Sequence, residues 1–178
     1  MADALVDRLL TLADVTRTDG LGPVVEAIRS VPYGRPEPRT EEGLLEQWRG
    51  TCSTKHALLV RCLIELAPGA NPRIFHRVYR ITAEAAKGML GPKAAAAVPP
   101  EGLTDVHTYV IATLNGRDVV LDVTFPGPPW DEASDMHIAA SEGQDVPAGA
   151  DPVATKAALV VKYCDPTLRE PFIAALGM

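Results

Sequence analysis

Val106-His107-Thr108-Tyr109-Val110-Ile111-Ala112-Thr113-Leu114 and Arg117-Asp118-Val119-Val120-Leu121-Asp122-Val123-Thr124 are two runs rich in β-branched residues, joined by Asn115-Gly116. Asn-Gly is the strongest short-range signal for a two-residue turn, so the runs read as the strands of an antiparallel hairpin. Such a turn pairs Leu114 with Arg117, and counting back sets Tyr109 opposite Asp122 and His107 opposite Thr124. His107 and Asp122 then share one face as diagonal neighbours, about 7–8 Å apart at the backbone, a gap that an imidazole and a carboxylate can span. Aspartate is depleted in strands, and a lone carboxylate amid Val119-Val120-Leu121-Asp122-Val123 is costly without a partner. His107 is one candidate partner and an arginine is the other.

Upstream of the hairpin, apolar spacing predicts a helix over Ala4 to Val15, with Leu5, Leu9, Leu12 and Ala13 on one face and Asp3 as its cap. A second helix is expected over Leu21 to Val31 and a short third over Glu41 to Trp48, stopped by Gly50. Pro32 to Pro38 cannot continue a helix and reads as an ordered turn or loop. The strongest helical pattern runs from Ser53 to Leu66, where Ala57, Leu58, Leu59, Leu63, Ile64 and Leu66 form a broad apolar face before Pro68-Gly69. Cys52 stands at its mouth. A strand over Pro72 to Ile81 and a helix over Ala83 to Leu90 follow, and Gly91 to Gly102 reads as a surface loop with at most a helical turn. Beyond the hairpin, proline-laden Phe125 to Asp151 reads as a long irregular segment, the usual mark of a lid, a wall or disorder. Ala154 to Tyr163 fits strand or helix, and Asp165-Pro166 opens a final helix to Leu176. The expected architecture is α+β, one domain over residues 1–178, with a helical N-terminal half carrying Cys52 packed on a small antiparallel β-sheet.

With 178 residues, 47% of them hydrophobic and 22% charged, the chain has the composition of a folded domain. Its net charge of −6 and its lack of any basic block exclude a phosphate-neutralising surface, so no nucleic acid is expected as a partner. The first apolar stretch is broken by Asp7 and Arg8, and no run approaches the roughly 18 apolar residues of a membrane span. Neither a signal peptide nor a membrane association is expected. Three cysteines, Cys52, Cys62 and Cys164, fit three free thiols in a reducing cytoplasm.

A nucleophilic cysteine needs its thiolate stabilised, and free backbone donors and the dipole at a helix start favour negative charge there. Cys52 occupies such a position. Gly50 and Thr51 before it are small, which leaves room for a substrate carbonyl, and the Cys52 amide is placed to donate to a developing oxyanion. A histidine oriented by aspartate through one ring nitrogen keeps the other for a thiol, which is the logic of a Cys-His-Asp triad.

Gly50-Thr51-Cys52-Ser53-Thr54-Lys55-His56-Ala57-Leu58-Leu59, Asp105-Val106-His107-Thr108-Tyr109-Val110 and Val120-Leu121-Asp122-Val123-Thr124-Phe125-Pro126 resemble, in residues and in order, the Cys, His and Asp blocks of the transglutaminase-like superfamily. The resemblance covers about residues 48–126. It implies a papain-like core with Cys52 as nucleophile, His107 as general base and acid, Asp122 as the orienting carboxylate, and neither cofactor nor metal. Eukaryotic cross-linking transglutaminases are far longer and carry calcium sites; without an acidic calcium loop, calcium-dependent cross-linking is not expected of this chain. Arylamine N-acetyltransferases use a similar set after Arg-Gly-Gly-x-Cys, which Arg49-Gly50-Thr51-Cys52 matches in part. The expected function is thiol acyl chemistry on the amide or thioester of a small molecule or peptide, with water or an amine releasing the acyl group. A non-catalytic binding module that keeps the fold is the alternative. The second oxyanion donor is open among Tyr33, Gln47 and Trp48.

His56 follows Cys52 by one turn, a pair that zinc could use with His76 or His107, but a closed zinc site wants a clearer second pair. Lys55 and Arg61 read as a solvated helix face, and Cys62 as a small core residue. His76 and Arg77 read as strand surface or cleft lining, and His137 as exposed.

Overall fold

The computed structural model describes residues 3–177. Four helices come first: α1 (Ala4–Ala13), α2 (Leu21–Ser30), α3 (Glu41–Gln47) and α4 (Cys52–Leu66). Then come β1 (Arg73–Ile81), α5 (Ala83–Leu90), α6 (Pro92–Ala96), β2 (Leu103–Leu114), β3 (Arg117–Leu121), β4 (Gly143–Pro147), α7 (Pro152–Tyr163) and α8 (Pro166–Leu176). The strands form one antiparallel sheet in the order β3-β2-β1-β4, so the class is α+β with a helical N-terminal half. No helix among the described residues is long and apolar enough to cross a membrane.

Asn115 and Gly116 take φ of 52° and 79°, the paired left-handed conformations of a tight hairpin turn whose twist matches that of the strands. Leu114 pairs with Arg117 and the ladder runs to Val110 and Leu121, the expected register. β3 ends there, three residues short of the expected Thr124, because the next donors turn to side chains. The Val123 amide donates to His56 Nε2 and the Thr124 amide to Asp122 Oδ1. Residues 103–109 of β2 are therefore left without a strand on that side.

Two apolar clusters sit at opposite ends of β2. Val110, Ala112 and Leu114 join Val119 and Leu121 of β3 against Val6, Leu9, Val25, Ile28, Leu44, Leu58 and Leu63 of α1 to α4. Leu103, with Tyr79 and Ile81 of β1, packs on Ala86, Ala94, Phe172 and Ile173 of α5, α6 and α8. Each fully buried leucine or isoleucine contributes about 1.5–3 kcal/mol to this packing.

Several elements differ from their expected form. In α1 the buried face is Val6, Leu9 and Leu10, while Leu12 is 50% exposed; Asp3 caps the helix as expected, accepting from the Leu5 amide. Trp48, at φ 48°, supplies the left-handed stop of α3 in place of Gly50. Gly50 instead pairs with the Tyr33 segment, its amide donating to the Pro32 carbonyl and its carbonyl accepting from the Gly34 amide. A Cβ at Gly50 would come within 2.6 Å of Leu44 Cδ1, so close packing demands the glycine there, not substrate access. The stretch after Gly91 contains α6, held by buried Ala94 and Val98. The Phe125 to Asp151 segment is irregular only as far as β4, an edge strand pairing Gly143 with Tyr79 and Pro147 with Phe75. The Ala154 to Tyr163 ambiguity resolves as helix α7, capped by Asp151 and burying none of its residues.

Candidate active site

Cys52 is the first residue of α4, and Thr51 before it is the N-cap, its amide donating to Thr54 Oγ1 at 3.0 Å. At that position the Cys52 amide has no carbonyl to bond within the helix and stays available to a ligand. His107 lies on the half of β2 that β3 leaves uncovered, and Asp122 lies one residue past β3. The hairpin register carries the two to contact: His107 Nε2–H donates to Asp122 Oδ2 at 2.7 Å. Asp122 also accepts from the Ala139 amide at 2.8 Å and the Thr124 amide at 3.0 Å. Its partner is thus the histidine and not an arginine, and the irregular segment has a structural role, since the Ala139 amide donates to the same carboxylate oxygen as His107.

The charges are strongly coupled. Burial pushes the Cys52 thiol up, but the Lys156 ammonium and His107 more than offset it and hold it at about 6. Burial likewise pushes His107 down, and Asp122 and Cys52 reverse this and raise it to about 10. Burial works against the Asp122 carboxylate too, yet His107 beside it keeps it far below the usual carboxylate range. Near neutral pH the three groups are therefore a thiolate, an imidazolium and a carboxylate. All three are covered, with Cys52 at 7%, His107 at 5% and Asp122 at 4% exposure.

His56 is not a metal ligand in this arrangement. Its Nδ1–H donates to the Cys52 carbonyl at 2.6 Å while its Nε2 accepts from the Val123 amide at 3.1 Å, so both ring nitrogens are committed to backbone. The ring braces the Cys52 turn against the strand end that carries Asp122. Burial drives its pKa down to about 4, so it is neutral. Among the described residues no group of three or more His, Cys, Asp or Glu side chains is placed to hold a metal ion.

Lys55, expected on a solvated face, is fully buried, its ammonium donating to the Arg29 carbonyl at 3.2 Å and the Thr124 carbonyl at 2.8 Å. His76, expected on strand surface, is buried as well, while Arg77 is ion-paired with Asp145. Cys62 is core, and His137 is exposed. Of the candidate oxyanion donors, Gln47 is tied to the Glu37 backbone and Trp48 packs against the core. Tyr33 lies nearer: it stacks on Phe125 at 5.3 Å, and after burial the Cys52 charge is the main influence raising its hydroxyl.

Sequence reasoning missed Lys156. Its ammonium, carried on α7, lies 3.1 Å from Cys52 Sγ, 2.9 Å from Ser53 Oγ and 2.9 Å from Thr108 Oγ1. No local pattern marks it, since it stands 104 residues from the cysteine it touches. A separate cavity of about 460 Å³ has Asp122 in its wall, with Arg29, Phe125, Trp130 and Met136; neither Cys52 nor His107 lines it.

Comparison of the chain with protein-family models, with curated proteins and with solved structures finds no match. What the site itself holds is a cysteine at a helix N-terminus, a histidine, and a carboxylate hydrogen-bonded to that histidine.

Proposed function

We propose that this chain is a thiol-dependent acyl enzyme of transglutaminase-like type, acting on the amide or thioester of a small molecule or peptide. The observation that carries the reading is the His107–Asp122 contact at 2.7 Å, set beside a cysteine that opens a helix. The Cys52 thiolate attacks the carbonyl carbon, the π pair moves to oxygen, and the free Cys52 amide meets the resulting oxyanion. His107 gives its proton to the departing nitrogen as the tetrahedral species collapses to a thioester. Water or an amine, deprotonated by the same imidazole, then attacks that thioester and releases Cys52.

The test is direct. The protein, incubated with activated esters and thioesters, should take up one acyl group at Cys52, seen by peptide mass spectrometry, and Cys52→Ala should take up none. Labelling that spares Cys52, or spreads equally over Cys62 and Cys164, contradicts the reading. A folded protein whose Cys52 alkylates but never acylates would favour a binding module instead.

A further inference from the structure

Lys156 is half-buried, and among the described residues it forms no ion pair with a carboxylate. The three protons of its ammonium are matched by three acceptors, Cys52 Sγ, Ser53 Oγ and Thr108 Oγ1. Of these only the thiolate carries charge. The hydrogen-bond directions around it are forced. His76 Nε2–H donates to the Pro152 carbonyl at 2.9 Å, which leaves Nδ1 bare to accept the Thr108 hydroxyl proton at 3.1 Å. Thr108 Oγ1 thus turns its lone pairs to Lys156. Because Pro152 opens α7, the same histidine fixes the helix that delivers the ammonium.

We propose that Lys156 is a catalytic residue, the counter-ion of the Cys52 thiolate and the second donor to the oxyanion formed when Sγ attacks a carbonyl. The inference rests on the acyl-enzyme reading of Cys52. As the sulfur–carbon bond forms, negative charge leaves sulfur and arrives on the carbonyl oxygen. An oxyanion needs donors at about 3 Å, and a lysine already in contact with the sulfur meets the migrating charge with a small swing of its stem. The ammonium keeps its protons throughout. When the tetrahedral species collapses, the carbonyl reforms and the leaving group departs, an amine with a proton from His107 and an aryloxide without one.

Two reagents separate this role from others, because iodoacetamide alkylates a thiolate with no oxyanion whereas p-nitrophenyl acetate acylates it through one. On the high-pH plateau of each protein's own iodoacetamide profile, where its thiol is fully ionised, the full-length Lys156→Met protein should lose about 100-fold in the rate of the p-nitrophenolate burst. Its iodoacetamide rate should be unchanged. At lower pH the alkylation midpoint of this variant should move upward, and Lys156→Arg should keep most of both properties. Urea midpoints check that each variant is folded, and the arginine variant retains the charge if methionine disturbs α7. An unaltered burst in Lys156→Met, an equal slowing of both reactions, or a burst-specific loss in Tyr33→Phe in its place overturns the assignment. A wild-type protein that alkylates at Cys52 yet gives no burst defeats the acyl-enzyme reading and this inference together; a normal wild-type burst that survives Lys156→Met defeats the lysine alone.

Discussion

Asp122 accepts three hydrogen bonds inside the protein, one from an imidazolium and two from backbone amides, and each needs an acceptor. Asp122→Asn replaces one oxygen with a donor, so His107 loses both its orientation and the anion that keeps it protonated. The alkylation rate of Cys52 near neutral pH should fall by orders of magnitude; an unchanged rate with a collapsed urea midpoint would make Asp122 purely structural. Because its carboxyl is held low, Asp122 contributes stability above the unfolded-state value of about 3.9 and loses it as acid protonates the folded group. His56 and His76 act at milder pH. Burial holds both at about 4 against an ordinary 6.5, so the unfolded chain takes up protons first. The contribution of these two neutral histidines should be complete above pH 6.5 and decline from there toward pH 4, with the urea midpoint as the measure and His76→Gln flattening the slope. A midpoint constant across that window would contradict neutral buried histidines. At this scale Cys52, His107 and Asp122 were legible because a helix start and a hairpin register fix their positions locally. Lys55 and Lys156 were not, since their acceptors are contributed by segments 26 to 104 residues away.

α4 is the element that carries Cys52, and Gly50 packs between Leu44 of α3 and Lys55 of α4. Gly50→Ala should overpack against Leu44 and Lys55 and cost about 1–3 kcal/mol, read from the urea midpoint. A fully stable alanine variant would show that the segment yields easily. Most helices were legible: α2, α3, α4, α5 and α8 begin and end within a residue of where the sequence places them, α4 by its broad apolar face and α8 by its Asp165-Pro166 opening. The strand that the sequence read as irregular chain and the helix that it left between strand and helix share a cause. β4 is an edge strand whose Gly143-Gln144-Asp145-Val146-Pro147 has no apolar alternation, and a Cβ at Gly143 would lie 2.2 Å from the Val78 carbonyl oxygen, so backbone proximity specifies it. α7 buries no residue and leaves Val153 at 79% and Val161 at 85% exposure, so it has no stripe to read.

Over the whole molecule the two apolar clusters hold different parts of the site. α4, with Cys52 at its head, belongs to the cluster that meets the far end of β2, whereas α8 belongs to the cluster around Leu103 and reaches the site's flank through the Arg169–Asp105 ion pair at 2.6 Å. His107 and Thr108 lie on β2 between them. α7 is tied to its surroundings by polar contacts, Lys156 to Cys52, the Pro152 carbonyl to His76 and the Thr155 hydroxyl to the Ala148 carbonyl. Such an arrangement resembles a joint gripped from two sides, whose alignment is lost once either grip slackens, well before either half melts. Rising urea should therefore extinguish the fast reaction of Cys52 with iodoacetamide at concentrations where far-ultraviolet circular dichroism is still native. Coincident loss of the two signals would mean that both halves and the joint give way as one unit. If inactivation comes first, the protein's working range is narrower than its folding range, and a ligand spanning both halves would widen it.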